Sequence, residues 1–296
     1  MENRCNICPR SCSAVRSGTS GGGVCAMGDT FKIARCEKHY WEEPCISGKN
    51  GSGAVFFSGC ALRCVYCQNY KISREGFGAP VTDENLIRMI KRLEEEGAHN
   101  INLVNPTHYT RQITRVLDQY RPNIPIVYNC GGYEKPETIQ ALKGYVDIYL
   151  PDLKYVDAAL SQKYSGAADY FQFASASIPA MYDQVGDPIY DGNGMMRSGL
   201  IIRHLILPGQ VENSLRVLEW IAANLPRTVP VSIMSQYTPC GDLAQYPELQ
   251  RRITQQEYNA VYDRLIELDL TEGYIQELSS AKEEYIPSFD LSGVIT

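Results

Sequence analysis

Three cysteines stand close together in Phe56-Phe57-Ser58-Gly59-Cys60-Ala61-Leu62-Arg63-Cys64-Val65-Tyr66-Cys67-Gln68-Asn69, spaced Cys-x3-Cys-x2-Cys. A structural zinc site wants four protein ligands, and the 4Fe–4S cubes of simple electron carriers are held by four cysteines. Three close thiolates bind three irons of such a cube and leave the fourth iron open to a substrate. Gly59 lets the backbone turn sharply into the loop. Tyr66 can shield a cluster and offer a face to a stacked ring. The alternatives are a zinc site that borrows a ligand from elsewhere, or plain reduced thiols.

The cysteines are crowded. There are 11 in the chain, with only Cys130 and Cys240 beyond residue 67. An odd number, packed at one end at short spacings, reads as metal ligation in a reducing compartment rather than as a disulfide framework. Cys5, Cys8, Cys12 and Cys25 follow the spacing Cys-x2-Cys-x3-Cys-x12-Cys. Four thiolates at such intervals can hold zinc or a second 4Fe–4S cluster, or remain reduced thiols. Cys36 and Cys45 are spare or alternative ligands.

The elements that must position these groups follow from patterning. With 296 residues, 44% hydrophobic and 21% charged, the chain can bury a large core. Those values exclude wholesale disorder, a collagen-like repeat and a small disulfide scaffold. A net charge of −6 and a pI near 5.4 argue against a nucleic-acid reader held by phosphate contacts, a zinc-dependent one included. Met1–Arg10 has no apolar run of signal-peptide length, and no stretch approaches the roughly 18 apolar residues of a membrane span. A cytoplasmic protein is therefore expected.

Residues 1–52 read as a Cys/Gly/Ser-rich cap with little periodicity, 53–277 as the core and 278–296 as a tail. Strands are expected at Ala54–Phe57, Ile101–Val104, Ile126–Tyr128, Asp147–Leu150, Leu200–Leu207, Val231–Met234 and Gly273–Glu277. Helical patterns lie between them, at Thr82–Glu96, Thr110–Tyr120, Pro136–Leu142, Val211–Asn224 and Thr254–Leu268. Strand and helix in alternation mean an α/β fold with parallel strands and right-handed crossovers. Both a barrel or partial barrel and a doubly wound open sheet satisfy this. Ala167–Gly194 breaks the rhythm and reads as a helix followed by a long loop.

The three-cysteine loop, set directly after an apolar strand and with an aromatic before its third cysteine, resembles the radical SAM superfamily. The ending Tyr66-Cys67-Gln68-Asn69 is similar to the pyruvate formate-lyase activating-enzyme branch. The stretch Tyr40-Trp41-Glu42-Glu43-Pro44-Cys45-Ile46-Ser47-Gly48 resembles a group of activating-enzyme homologues with no settled substrate. The likeness runs from the N-terminal cysteines to about Gly241. It implies a partial (β/α)6 barrel of the TIM-like kind. It also implies that Cys60, Cys64 and Cys67 hold a 4Fe–4S cluster whose open iron chelates the amino and carboxylate groups of S-adenosylmethionine. One electron then yields methionine and a 5′-deoxyadenosyl radical that abstracts hydrogen.

A parallel barrel works at the C-terminal ends of its strands, so those ends supply the remaining candidates. Asn105 and Thr107 follow the second strand, where the activating enzymes usually carry Gly-Gly-Glu. This chain lacks that motif, and the two side chains could accept the methionine amino group instead. Thr107 also suits a helix N-cap. Asn129 precedes Gly131-Gly132, near the position of a family Asp that helps hold a monovalent cation. The charge is absent here, so cation use stays open. Cys130 reads as a small buried residue. Asp152 and Lys154 share one face of an extended chain. They could bind the zwitterionic methionyl end, as the family's similar Asp-Leu-Lys run implies, or form a surface ion pair. Arg203 interrupts an apolar strand and needs a carboxylate partner, Asp152 or the cofactor's own, unless it snorkels at an edge. His204, on the opposite face, is expected to be structural. Gln236 and Tyr237 lie where the resemblance implies nucleoside contact. The His that the family often has there is missing.

These readings point to a radical enzyme that acts on a protein substrate, with glycyl-radical-enzyme activation as the role the resemblance implies. It would draw its electron from a low-potential donor such as flavodoxin or ferredoxin. Radical modification of another protein or peptide, and a non-catalytic iron–sulfur or metal carrier, are the other readings. No Ser-His-Asp or Cys-His arrangement suggests nucleophilic catalysis.

Overall fold

Most of the apolar runs become parallel strands, with helices carrying the chain back between them. The computed structural model describes residues 4–278 and 287–296, so the expected tail 278–296 lies partly outside the described residues. In chain order the elements are β1 (Arg16–Ser17), β2 (Ser20–Gly21), β3 (Phe31–His39), α1 (Pro44–Ser47), β4 (Ser52–Phe57), α2 (Tyr70–Ser73), β5 (Ala79–Val81), α3 (Asp83–Glu95), β6 (Ile101–Val104), α4 (Thr110–Gln119), β7 (Ile126–Cys130), α5 (Pro136–Gln140) and β8 (Ile148–Pro151). They continue with α6 (Ala158–Ser165), α7 (Tyr170–Val185), β9 (Ile189–Tyr190), β10 (Met196–Leu200), β11 (Ile202–Leu205), α8 (Val211–Asn224), β12 (Val231–Met234), α9 (Gln255–Glu267) and β13 (Gly273–Ile275).

Strands β4, β6, β7, β8 and β10 pair in parallel in that order. Strand β10 runs through Ile201 into β11, which pairs in parallel with β12, and β12 with β13. A parallel bridge between Asp152 and Arg203 ties the two sheets together. The strands thus follow chain order with no reversal. A doubly wound sheet reverses at a switch point, so the winding is that of a barrel. The result is the expected α/β fold with a mostly parallel sheet.

Local chemistry sets the helix ends. Thr82 caps α3 by accepting the Asn85 N–H, Asp83 and Glu84 occupy its first turn, and Leu86, Met89, Ile90 and Leu93 form its buried stripe. Thr254 and Glu257 form a capping box at α9.

Two features differ from the sequence reading. The cap contains the nine-residue strand β3, which pairs antiparallel with both β4 and β5. A register shift between Ile33 and Arg35 breaks its alternation, which hid it. The segment Ala167–Gly194 is α7 followed by the hairpin strand β9, which pairs antiparallel with β10.

Alternation along the strands divides their side chains between two faces. Leu103, Tyr128, Tyr149 and Ile202 pack with the helices, among Ile113, Val116, Ile178 and Val217. On the other face, Val127, Ile148, Leu150 and Ile201 receive Cys45 and Ile46 of α1. That short helix plugs the face turned away from the helices. The next residues up the same strand faces are Asn129, Asp152 and Arg203.

Candidate functional site

The cysteine loop begins where β4 ends. Gly59 takes φ +81°, and a Cβ there would lie 2.3 Å from Met27 Cγ and 2.6 Å from the Cys25 carbonyl oxygen, so only glycine fits. Arg63 also has positive φ, +52°, which turns the chain between Cys60 and Cys64. The Leu62 N–H donates to Cys60 Sγ at 3.4 Å, and Ser165 Oγ donates to Cys64 Sγ at 3.0 Å. Burial pushes the Cys60 thiol up to about 12, with the neighbouring Cys64 adding to it. Burial and Cys64 likewise raise Cys67 to about 11, while Lys154 pulls the other way. Three mutually interacting thiols, Cys64 buried and Cys60 and Cys67 half-buried, met by N–H and O–H donors and a nearby ammonium, need a cationic group among them to exist as thiolates. Gly131 keeps this space open, since a Cβ there would meet Leu62 Cδ1 at 2.9 Å and Lys154 Cε at 3.6 Å. The residues fit a cationic iron–sulfur core held by three thiolates.

Beside the loop lies a buried chain of charges. Asp152 Oδ2 pairs with Lys154 Nζ, and Asp152 Oδ1 accepts from Arg203 Nε at 2.9 Å. Arg203 Nη1 donates to Glu42 Oε2 at 3.1 Å, and Nη2 to Asn129 Oδ1 at 2.6 Å. All three guanidinium nitrogens are therefore engaged by protein groups. The Glu42 carboxylate also accepts from Asn102 Nδ2 at 3.0 Å and from Asn129 Nδ2 at 3.3 Å. Burial opposes the ionisation of Asp152, yet Arg203 and Lys154 outweigh it and hold the carboxyl below its usual range. Asp152, Lys154, Arg203 and Asn129 are thus brought together. The Asp152–Lys154 pair is not at the surface, because each side chain keeps only about one-sixth of its exposure.

The other candidates occupy varied settings. Asn105 has φ +59° and its Nδ2 donates to the Gly59 carbonyl, joining β6 to the cluster loop. Thr107 does not cap α4; its hydroxyl donates to Glu134 Oε1 at 2.5 Å. Glu134 also accepts from Tyr128 at 3.4 Å, and burial pushes its carboxyl up to about 8. Tyr66 is buried, hydrogen-bonded to Tyr155 at 2.6 Å and packed edge-on against Tyr164 and Tyr237. Tyr237 is also buried, with its hydroxyl committed to the Leu249 carbonyl at 2.7 Å. The Gln236 carbonyl accepts from Gln68, and its side chain from Gln276. Cys130 is buried, and His204 is held between the Leu153 carbonyl and Ser214, as a structural histidine would be.

At the N-terminus, Cys5, Cys8 and Cys25 are buried and Cys12 is exposed. Burial first, then Glu134, Cys25 and Cys5, raises the Cys8 thiol to about 12. Cys5 and Cys12 add to the burial that raises Cys25. Arg10 fastens this segment to the site, with Nε donating to the Ala61 carbonyl at 2.9 Å and Nη2 to the Ser165 carbonyl at 2.7 Å. Among the described residues, no group of three or more His, Cys, Asp or Glu side chains is set as ligands for a single metal ion.

Sequence reasoning missed Glu42, Glu134, Tyr155 and Ser165. Two adjacent carboxylates before the apolar Cys45-Ile46 were the available signal for Glu42. Nothing in the local pattern marks Ser165, whose role arises from how α6 docks.

Residues 54–175 match the model of the radical SAM superfamily. The uncharacterized protein MJ0674 of Methanocaldococcus jannaschii is 28% identical over 284 residues, covering 93% of this chain and 76% of that protein. Among solved structures, SuiB of Streptococcus suis aligns with TM-score 0.49 and 14% identity over 80% of this chain and 52% of its own. SuiB bound to S-adenosylmethionine gives TM-score 0.46 and 15% identity over 79% of this chain and 49% of that one. Methylornithine synthase (PylB) gives 0.48 and 11% over 90% and 70%. The chain spans about half the length of the SuiB chains. The match over residues 54–175 supports the radical SAM superfamily, a family of enzymes doing radical chemistry with a 4Fe–4S cluster and S-adenosylmethionine. Among the described residues, no helix is long and apolar enough to cross a membrane.

Proposed function

We propose that this chain is a radical SAM enzyme in which Cys60, Cys64 and Cys67 hold a 4Fe–4S cluster beside a pocket for S-adenosylmethionine. The observation that carries this reading is the convergence of the three thiols, in the loop after β4, with the Asp152–Lys154 pair after the parallel strand β8. When bound, the cluster supplies one electron that cleaves S-adenosylmethionine to methionine and a 5′-deoxyadenosyl radical, which abstracts hydrogen from the substrate. The protein's own residues bind, orient and exclude water. Asp152 and Lys154 present opposite charges to the zwitterionic methionyl end. Arg203, already engaged at every nitrogen, keeps Asp152 ionised and in place. Asn105 fixes the Gly59 turn, and the α1 plug closes the far side of the same sheet face. Gln236 and Tyr66 line the nucleoside side in this reading, with Tyr237 behind Tyr66.

The substrate we propose is a protein, and the role is activation of a glycyl radical enzyme. The support is the likeness of the Tyr66-Cys67-Gln68-Asn69 ending and the Asp152-Leu153-Lys154 run to the activating enzymes. The absence of Gly-Gly-Glu after β6 favours the second reading, radical modification of another protein or peptide. Incubation with a candidate glycyl radical enzyme separates them: an EPR doublet appears in the first case, and its absence across plausible partners supports the second. A low-potential flavodoxin or ferredoxin as donor, and a cytoplasmic setting, belong to the same proposal.

We also propose a second metal site, zinc or a 4Fe–4S cluster, at Cys5, Cys8, Cys12 and Cys25, with plain reduced thiols as the other reading. The support is their spacing and the mutual influence of their thiols. Metal analysis of the Cys60/Cys64/Cys67 triple alanine variant tests both assignments. Metal remaining in that variant belongs to the N-terminal set, and none remaining removes the second site.

A further inference from the structure

At one corner of the cysteine loop a hydroxyl hydrogen bond to sulfur is the end of a longer chain. Cys64 Sγ receives a hydroxyl hydrogen bond from Ser165 Oγ at 3.0 Å. Ser165 Oγ lies 2.9 Å from Tyr155 Oη, which lies 2.6 Å from Tyr66 Oη. A metal-bound thiolate has no proton to give, so Ser165 must donate to it. The remaining protons then align in one direction, Tyr66 to Tyr155 to Ser165 to Cys64. Cys64, Tyr66, Tyr155 and Ser165 are all buried, which leaves water no share in the chain. Ser165 is the last residue of α6, and its position is fixed independently. The Val65 N–H donates to the Tyr164 carbonyl at 2.9 Å, and Arg10 clasps the Ser165 carbonyl.

Resting on the reading that these cysteines hold a cluster, we propose that Ser165 tunes its reduction potential through Cys64, with Tyr155 and Tyr66 strengthening the bond behind it. A donor aimed at a ligand sulfur stabilises the more negative, reduced cluster and so raises its potential. Successive hydrogen bonds in a dry interior polarise one another and add to the effect. Ser165 is thus a positioning and tuning residue that need not touch the substrate. Its hydroxyl makes the one-electron reduction that precedes cofactor cleavage easier for the external donor.

The test is an EPR-monitored redox titration of anaerobically reconstituted protein, without S-adenosylmethionine. The midpoint of Ser165→Ala should move to a more negative potential at unchanged iron content, and Ser165→Thr, which keeps the hydroxyl, should restore it. Tyr155→Phe should move it in the same direction by less. Iron-loaded Ser165→Ala with the wild-type midpoint overturns the proposal. If Ser165→Ala does not hold iron, Tyr155→Phe decides, since Tyr155 is two bonds removed from sulfur in the chain; an unchanged midpoint there overturns the proposal too. Wild-type protein that takes up no iron instead defeats the underlying cluster reading, before any titration is made.

Discussion

Glu42 and Arg203 are 161 positions apart in the chain, yet Glu42 Oε2 accepts from Arg203 Nη1 at 3.1 Å inside the sheet. The contact joins the segment before α1 to β11. It sets the arginine from one side while Asp152 sets it from the other. Removing one member of such a buried set strands the others.

Arg203→Ala leaves Glu42 and Asp152 without their shared cation. The expected loss of folding stability is about 3–5 kcal/mol, the range for breaking a buried pair. Denaturant unfolding measures it. In a double-mutant cycle, Glu42→Ala and Arg203→Ala should couple by about 1–3 kcal/mol, as residues in one network do. Additive losses would mean that the pair is not energetically joined.

Lys154→Met removes the ammonium that acts on the Cys64 and Cys67 thiols while keeping much of the side chain's bulk. Losing a charged hydrogen bond weakens binding by about 1.5–3 kcal/mol, or roughly 10- to 100-fold. Equilibrium binding of S-adenosylmethionine to the iron-loaded variant should show that loss, and wild-type affinity would remove Lys154 from the cofactor site.

The buried carboxyl of Glu134 sets a pH dependence. Its folded value of about 8 lies above the ordinary 4.5. Between those values the unfolded chain has lost the proton that the folded chain still holds, so stability falls as pH rises. The slope approaches about 1.4 kcal/mol per pH unit. Below the window both states are protonated, and above it both are ionised. Glu134→Gln should flatten this loss between pH 5 and pH 8 in unfolding curves taken across pH. A variant that keeps the wild-type slope would assign the pH dependence to other groups.

Gly59→Ala places a methyl group against the Cys25 carbonyl oxygen at a positive φ. Strain of about 1–3 kcal/mol is expected, with the N-terminal segment pushed off the loop. Iron retained after anaerobic reconstitution should fall well below wild type, and full retention would show that the loop relaxes around the methyl group.

What the sequence made legible was whatever repeats with a period or a fixed spacing. The strands from Ile101–Val104 to Val231–Met234 are apolar runs between helix signals, and Thr82 and Thr254 mark helix starts by type and position. The Asp152–Arg203 partnership could be argued because a lone arginine in an apolar strand demands a carboxylate. Strand β3 could not be seen, because its bulge spoils the alternation on which strand recognition rests. Glu42, Glu134 and Ser165 were hidden for another reason. Their partners are 161, 27 and 101 residues away, and no local pattern encodes a contact made by docking one element on another.

The central claim is that Cys60, Cys64 and Cys67 hold a cluster that cleaves S-adenosylmethionine. It is tested most directly by measuring 5′-deoxyadenosine formed by anaerobically reconstituted protein with reductant, in wild type and in Cys60→Ala. Wild type, loaded with about four irons at the loop, should form 5′-deoxyadenosine and methionine together, and Cys60→Ala should form neither. Product from the alanine variant at the wild-type rate, or none from iron-loaded wild type, would contradict the account.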